Sequence, residues 1–401
     1  MNDIEYTEDI KTYYLQWHDY SYKFRWFYTP HKILTCFLIF FSLLYFLTKN
    51  INKRIIAMVI MTTIILATIL QDGNLIRPHP FIWRILLALS IEAIIFAFFL
   101  CTIDREVIMD NIIALTPGKS GNFTLDRDYS QGCTVFDREN VNDPFHNVKP
   151  VIFDIFIPAH FFGWIFQALV LRNYSLCWIV SISFEVCERL LKQWFPNFNE
   201  CWWDSLILDI LLCNGFGIYI GMKIAKYFNL VSWEKRKYED IPVSGKIVRI
   251  LKQMTPRSYE IFEFHPLSSM KKYFIFVFII CIHLLLELNI FAIKMVLPMS
   301  PSNPIVIWIM FLHLIIGIPA IFDFYLYSIN ERDSIGSFGF VCTLLALIEV
   351  ALVYHCSEGY FTEKIPKTTL ICFILIVSVV TIFPIIWFKI LKKGSSKEKT
   401  D

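Results

Sequence analysis

Six ionisable side chains crowd one stretch of largely apolar sequence: His160, Glu185, Glu188, Glu200, Asp204 and Asp209, with Asn197 and Asn214 among them. An ionised carboxylate in hydrocarbon costs on the order of 2.5–3.5 kcal/mol even on mild insertion scales. Five together persist only where something compensates their charge, and the usual compensator is a bound cation. Glu185 and Glu188 are three apart and share one face of a helix. Glu200 and Asp204, four apart, also share a face if the helix begins before Trp202, with Asp209 about a turn and a half deeper. Pro196 ends the preceding span and forces a tight connection, so the two acidic faces meet as an antiparallel pair. Oxygen ligands without clustered histidines or cysteines suit a hard cation: Ca²⁺, Mg²⁺ or Mn²⁺. Asn197 and Asn214 can add neutral carbonyl oxygens or bind substrate. Pairing with Arg189 or Lys192 would account for one acid at the membrane surface, but five would each need a buried partner.

His160 lies in Asp154-Ile-Phe-Ile-Pro-Ala-His160-Phe-Phe-Gly-Trp164. A lone histidine in an apolar helix is more often a hydrogen-bonded packing residue than a catalyst, and His283 and His313 show how weak the residue type is by itself. The neighbouring Asp154 and the acidic cluster raise its standing. Carboxylates favour the imidazolium while burial or an adjacent cation favours the neutral ring, a balance suited to a general base.

Composition fixes what carries these groups. Of 401 residues, 56% are hydrophobic and 18% charged, with 38 Phe, and the mean hydropathy is +0.53. That is the make-up of a membrane protein. The formal net charge of +2 points to no nucleic-acid partner. Eleven cysteines are scattered with no Cys-x-x-Cys pair, so neither a disulfide framework nor a zinc site is expected, and most read as packing residues. Apolar runs of bilayer-spanning length recur near 33–48, 54–71, 82–103, 151–171, 174–194, 202–224, 271–293, 305–328, 335–356 and 368–391. The expected fold is therefore all-α and polytopic, with about ten transmembrane helices, short loops and no cleavable signal peptide.

Basic excess marks cytosolic loops. It falls on 223–272 and on the tail lysines from Lys389 to Lys399, placing both termini and the 225–270 loop in the cytosol. The 104–149 segment and the 195–201 connection then lie on the opposite side. Lys246–Met254 reads either as an amphipathic stretch on the membrane surface or as part of an ordinary positive-inside loop. The organisation expected is a cytosolic tail over 1–32, a multi-pass catalytic domain over 33–391 with its site in 151–224, and a lysine-rich cytosolic tail over 392–401.

The ordered residues match a known pattern. Phe153-Asp-Ile-Phe, His160, Gly163-Trp164, Glu185-x-x-Glu188, Pro196-Asn-Phe-x-Glu200-Cys-Trp-Trp-Asp204 and Leu208-Asp-Ile-Leu-Leu-Cys-Asn214-Gly resemble the eukaryotic base-exchange phosphatidylserine synthases. So do Arg77-Pro-His-Pro80 with Trp83-Arg84, Thr255-Pro256 and Glu287-Leu-Asn289. The spacer 104–149 and both tails look particular to this chain. The resemblance implies Ca²⁺-dependent exchange of the head group of phosphatidylcholine or phosphatidylethanolamine for L-serine, without a nucleotide, in the endoplasmic reticulum. It implies His160 as base or nucleophile and the five acids as metal-binding candidates, while Asn197, Asn214 and Asp154 beside them are candidates for binding substrate. One phosphodiester replaces another, so no high-energy donor is required.

Arg77 and Arg84 suit bidentate phosphate contact, or snorkelling to the interface. By resemblance Arg77 falls at a position tied to product feedback, making phosphatidylserine both product and regulatory ligand. Lys397-Glu-Lys399-Thr-Asp401 fits a Lys-x-Lys-x-x retrieval signal for the endoplasmic reticulum. A homo-oligomer is compatible with the sequence, because an apolar helix interface leaves no mark in it. Among other classes, a cation transporter would also keep intramembrane acids, yet it predicts internal pseudo-symmetry that the one-third clustering lacks. The Asp-Gly-x-x-Ala-Arg signature of CDP-alcohol phosphotransferases is absent. An acyltransferase would not need five carboxylates, and a scaffold leaves them unexplained.

Overall fold

In a computed structural model the described residues are 59–60, 62–67, 69–70, 80–121, 129–130, 132–154, 156–230, 266–328, 334–357, 359–361 and 364–397. Among them are the helices α1 (Pro80–Leu100), α2 (Arg105–Leu115), α3 (Phe156–Leu171) and α4 (Tyr174–Leu191). A π-helical segment, Asp204–Asn214, then runs into α5 (Gly215–Leu230). Four more follow: α6 (Met270–Val296), α7 (Pro304–Ser328), α8 (Ser337–Cys356) and α9 (Lys367–Lys397). No strand occurs among the described residues; a single bridge joins Ser120 to Met299. The chain falls into two compact units, with the described residues before Ser90 in one and those from Ser90 onward in the other. The acidic cluster and His160 lie in the second.

Six helices among the described residues are long and apolar enough to cross a bilayer: Phe81–Leu100, Asp204–Tyr227, Met270–Val296, Pro304–Ser328, Ser337–Cys356 and Lys367–Lys389. Ten were expected, and the difference has local reasons. The run 33–48 and much of 54–71 lie outside the described residues, as does the basic loop with Lys246–Met254. The run 151–171 forms α3, which is only 16 residues long because Asp154 and the chain before it turn away as a separate short turn. The run 174–194 forms α4, whose last turns carry Glu185, Glu188 and Arg189.

Helix ends are set by polar side chains. Asn173 Oδ1 accepts from Leu176 N (2.9 Å) to start α4, and Ser269 Oγ accepts from Lys272 N (3.2 Å) to start α6. The α8 N-terminus is met from another helix: Asp323 on α7 accepts from Phe338 N (3.0 Å) and Gly339 N (3.2 Å). A buried network ties α6, α7 and α8 together, with Glu349 accepting from His313 (2.7 Å) and Asn289 (3.1 Å). The segment after α2 is fastened to the α7 entrance by Asn303, which donates to Thr116 Oγ1 (3.0 Å) and Ser120 Oγ (2.8 Å).

α3 packs closely on α5, and the sequence reason is a pair of glycines four apart, Gly217 and Gly221. A Cβ at Gly217 would meet Phe161 O at 2.6 Å, and one at Gly221 would meet Ala168 Cβ at 2.7 Å. Small residues at this spacing let membrane helix backbones approach. Because α3 carries His160 and the π-helical extension of α5 carries Asp209, this contact sets the geometry of the site.

Candidate active site

Glu185 and Glu188 project from the buried face of α4, as their spacing predicts. The chain then leaves α4 through a single 3₁₀ turn, Pro196–Phe198. Phe195 and Phe198 pin that turn, with ring centroids 4.8 Å apart and Phe198 lying 5.0 Å from Phe291 of α6. Glu200 sits in the irregular segment that follows, so the expectation that it shares a helical face with Asp204 is corrected. It is clamped from both sides instead. Asn199 donates to Ser130 Oγ (2.8 Å), Cys201 is disulfide-bonded to Cys133, and Trp203 Nε1 donates to the Cys133 carbonyl (3.2 Å). The disulfide corrects the expectation that the scattered cysteines hold no disulfide.

The π-helix does what an α-helix could not. Its i→i+5 bonding register stacks residues five apart, and Asp204, Asp209 and Asn214 fall at that interval. All three are buried. In an α-helix, residues five apart point well away from one another, so the wider coil is what turns this row of polar groups inward together. Oxygens of Glu185, Glu200 and Asp209 lie within 4.8 Å of one another. Glu200 and Asp209 line a small cavity with Glu188, Asp204, Asp154, His160 and Asn197. The five acids thus share one site, with three of them converging most tightly.

Hydrogen bonds brace several of these residues. Ser205 Oγ donates to Glu185 Oε2 (2.7 Å), and Asn214 Nδ2 donates to Ser181 Oγ (3.0 Å). Asp154 accepts from the Tyr129 hydroxyl (2.9 Å) and from Phe156 N (3.2 Å). His160 Nε2 stands 4.0 Å from Asp209 Oδ1. Ser205, Ser181 and Tyr129 were not foreseen: the serines carry no pattern, and Tyr129 lies in the spacer that looked particular to this chain. Arg84 donates toward the Leu70 carbonyl (3.5 Å) and lies 5.5 Å from the Phe81 ring centroid. Arg77 lies outside the described residues.

The donor set fits a hard cation. The buried atoms lacking a hydrogen-bond partner here include Glu185 Oε1 and Asn197 Oδ1, both of them acceptors. Oxygens left bare around converging carboxylates call for a positive charge rather than for another hydrogen-bond acceptor. Arg189 is near enough to Glu185 and Glu200 to interact with both, but it is one charge against five acids. Burial, followed by the charges of Asp204 and Glu185, pushes the Glu200 carboxyl up to about 8.

A second, larger cavity of about 480 Å³ adjoins this centre, and His160 and Phe291 line both. Its walls are mostly apolar and come chiefly from α3, α6 and α7, with Phe184 of α4 added; Trp164, Ile279, Leu286 and Phe324 are among them. A histidine–carboxylate centre opening onto an apolar chamber between membrane helices defines a class: an integral-membrane enzyme acting on a lipid head group.

The comparisons agree with that class and narrow it. The sequence profile of the phosphatidyl serine synthase family matches residues 78–357, and the chain belongs to that family. It is 33% identical over 343 residues to phosphatidylserine synthase 2 of Rattus norvegicus, covering 83% of this chain and 72% of the relative. It is 32% identical over 316 residues to CDP-diacylglycerol–serine O-phosphatidyltransferase 2 of Oryza sativa subsp. japonica, covering 78% and 74%. For CDP-diacylglycerol–serine O-phosphatidyltransferase 1 of Arabidopsis thaliana the figures are 33% over 296 residues, 73% and 69%. The protein is a phosphatidyltransferase of phospholipid synthesis, and the transporter alternative falls away.

Proposed function

We propose that the protein makes phosphatidylserine by base exchange, replacing the choline or ethanolamine of a phospholipid with L-serine in a Ca²⁺-dependent reaction. The observation that carries this reading is the join between the two cavities: His160 reaches the carboxylate centre on one side and the apolar chamber on the other. A phosphodiester held there has its acyl chains in the chamber and its phosphoryl group beside the imidazole. Glu185, Glu200 and Asp209 would hold the cation, with Glu188, Asp204 and the Asn197 carbonyl around it. Bound there, the ion would neutralise charge developing on the phosphoryl oxygens.

His160 Nε2 accepts the serine hydroxyl proton as the serine oxygen bonds to phosphorus. The bond from phosphorus to the old head-group oxygen breaks, and the imidazolium returns its proton to that departing alkoxide. Asp209 at 4.0 Å stabilises the transient imidazolium. The alternative use of His160, as a nucleophile forming a phosphatidyl-histidine, has the same overall balance. The hydrogen-bonded Tyr129–Asp154 pair lines the small cavity, where Asp154 is suited to positioning substrate.

The site opens to the lumen of the endoplasmic reticulum on this reading, with both termini cytosolic. The Cys133–Cys201 disulfide beside Glu200 supports that side, since such bonds persist in oxidising compartments. Arg77, with Arg84, would serve phosphatidylserine feedback. Membranes holding the protein should incorporate labelled L-serine into phosphatidylserine with Ca²⁺ and without any nucleotide, and chelation or His160→Ala should abolish it. Incorporation only when CDP-diacylglycerol is supplied would replace base exchange by the donor named in the rice and Arabidopsis relatives.

A further inference from the structure

One carboxylate lining the chamber belongs to neither the cation centre nor the Asn289–His313–Glu349 network. Glu287 lies on α6, lines the larger cavity, and is near enough to His160 and Glu188 to interact with both. Its two contacts fall on one oxygen. Gln167 Nε2 donates to Oε1 at 2.7 Å, while His283 Nε2 stands 3.4 Å from the same atom without hydrogen-bond alignment. Oε2 takes part in neither. Gln167 is seven residues beyond His160 on α3, so both lie on one stripe about 10 Å long at 1.5 Å per residue. The stripe faces α6, whose Glu287 and Phe291 are four apart. Phe291 and Phe184 present rings 6.0 Å apart to the same cavity, and Trp164 adds a third aromatic wall.

A carboxylate among aromatic faces is the combination that recognises an alkylammonium: Coulomb attraction from the acid, ring quadrupoles from the aromatics. The reaction supplies such a group at every stage. Choline, ethanolamine and serine all place a cationic nitrogen two carbons from the reacting hydroxyl oxygen. We propose that Glu287, braced by Gln167 and backed by Phe184 and Phe291, is the ammonium subsite of the head-group alcohol. It holds the nitrogen of leaving and entering alcohols in turn, so the oxygen of each is presented to His160. This rests on the phosphatidyl-transfer reading above but not on which phosphatidyl donor is used. It also explains why an acid outside the cation centre is kept in an apolar chamber: the substrate brings its counter-charge.

The test compares L-serine with 3-hydroxypropionate, which has the same hydroxyl and carboxylate but no nitrogen. Wild-type protein in its membrane, with Ca²⁺, should use serine far better by kcat/KM. In Glu287→Gln that value for serine should fall roughly 10- to 100-fold, the loss of one charge-assisted contact. The value for 3-hydroxypropionate should change less than about threefold, and Glu287→Asp should keep much of the preference. Equal losses for both acceptors, or an unchanged preference, would overturn the assignment. If Glu287→Gln is monodisperse but inactive, ethanolamine is titrated instead. It should raise the Tm of wild type and not that of the variant, and equal shifts overturn the proposal. Each assay is run with phosphatidylcholine, phosphatidylethanolamine and CDP-diacylglycerol as donors, so a failure of base exchange shows in the wild-type donor profile and leaves the acceptor comparison standing.

Discussion

Replacing Gly217 by alanine tests how the site is held together without touching a reacting group. The new methyl would sit 2.6 Å from Phe161 O and 2.8 Å from Trp164 Cβ, where ordinary contact begins near 3.4 Å. Both obstacles, a backbone oxygen and a Cβ, cannot swing aside, so α3 and α5 must part by about 0.8 Å. Overpacking of this kind costs ~1–3 kcal/mol, offset by the ~1 kcal/mol that alanine gains over glycine inside a helix. Net destabilisation should therefore be at most about 2 kcal/mol, and the protein should still fold. Catalysis suffers more, because Asp209 and His160 ride on the two separated helices and stand 4.0 Å apart at the start. Misplacement by 1 Å can cost on the order of 100-fold in rate, so kcat for phosphatidylserine formation should fall roughly 10- to 100-fold with the serine KM little changed. The assay is initial-rate serine incorporation in purified protein, alongside thermal unfolding in detergent. Gly163→Ala on α3 is the stability control, since its added carbon meets nothing within 4 Å, and its Tm should match or slightly exceed wild type. A Gly217→Ala protein with wild-type kcat would refute the claim that this helix contact sets the His160–Asp209 distance.

The remaining predictions concern the cation centre and its clamp. Asp209→Asn should abolish Ca²⁺-stimulated activity, and Ser205→Ala should weaken half-maximal Ca²⁺ activation about tenfold or more, as one charge-assisted hydrogen bond contributes ~1.5–3 kcal/mol; Ca²⁺ titrations of activity read both. With Glu200 pushed up to about 8 in the cation-free protein, Ca²⁺ uptake must displace a proton, so apparent Ca²⁺ affinity should climb with pH and level off above that value. The same raised carboxyl contributes stability to the cation-free fold that is fully present below the unfolded-state value of 4.5 and lost as pH rises through about 8; a cation-free Tm insensitive to pH over this range would contradict it. Cys133→Ser, or reduction, should lower stability by about 2–4 kcal/mol, because the bond closes a 68-residue separation. It should also free the segment bearing Tyr129, and a reduced protein with unchanged Tm would show that Trp203 and Asn199 hold the clamp unaided.

Which groups form the acidic cluster, and that the chain is a polytopic membrane protein, was legible from residue type and local spacing alone. Acids in apolar runs stand out against a strong energetic background, and the Pro196–Asp204 string is specific enough to name a family. The facing of Glu185 and Glu188 also follows from helical periodicity, which reports neighbours within a turn or two. Other features depend on contacts that periodicity does not see. The row of Asp204, Asp209 and Asn214 points inward only because the backbone takes a π-helical course there. Glu200 is placed by partners roughly seventy residues away, Ser130 and Cys133. Two cysteines so far apart, with no spacing signature, look like packing residues until the fold brings them together. Glu287 reaches Gln167 across 120 residues, and Gly217 matters only because Phe161 and Trp164 lie against it. The chain's composition and short-range order thus determine what must be buried and charged. Long-range packing between α3, α4, α5 and α6 decides which of those charges meet, because approach distances between helices are set by side chains that have no neighbours in sequence.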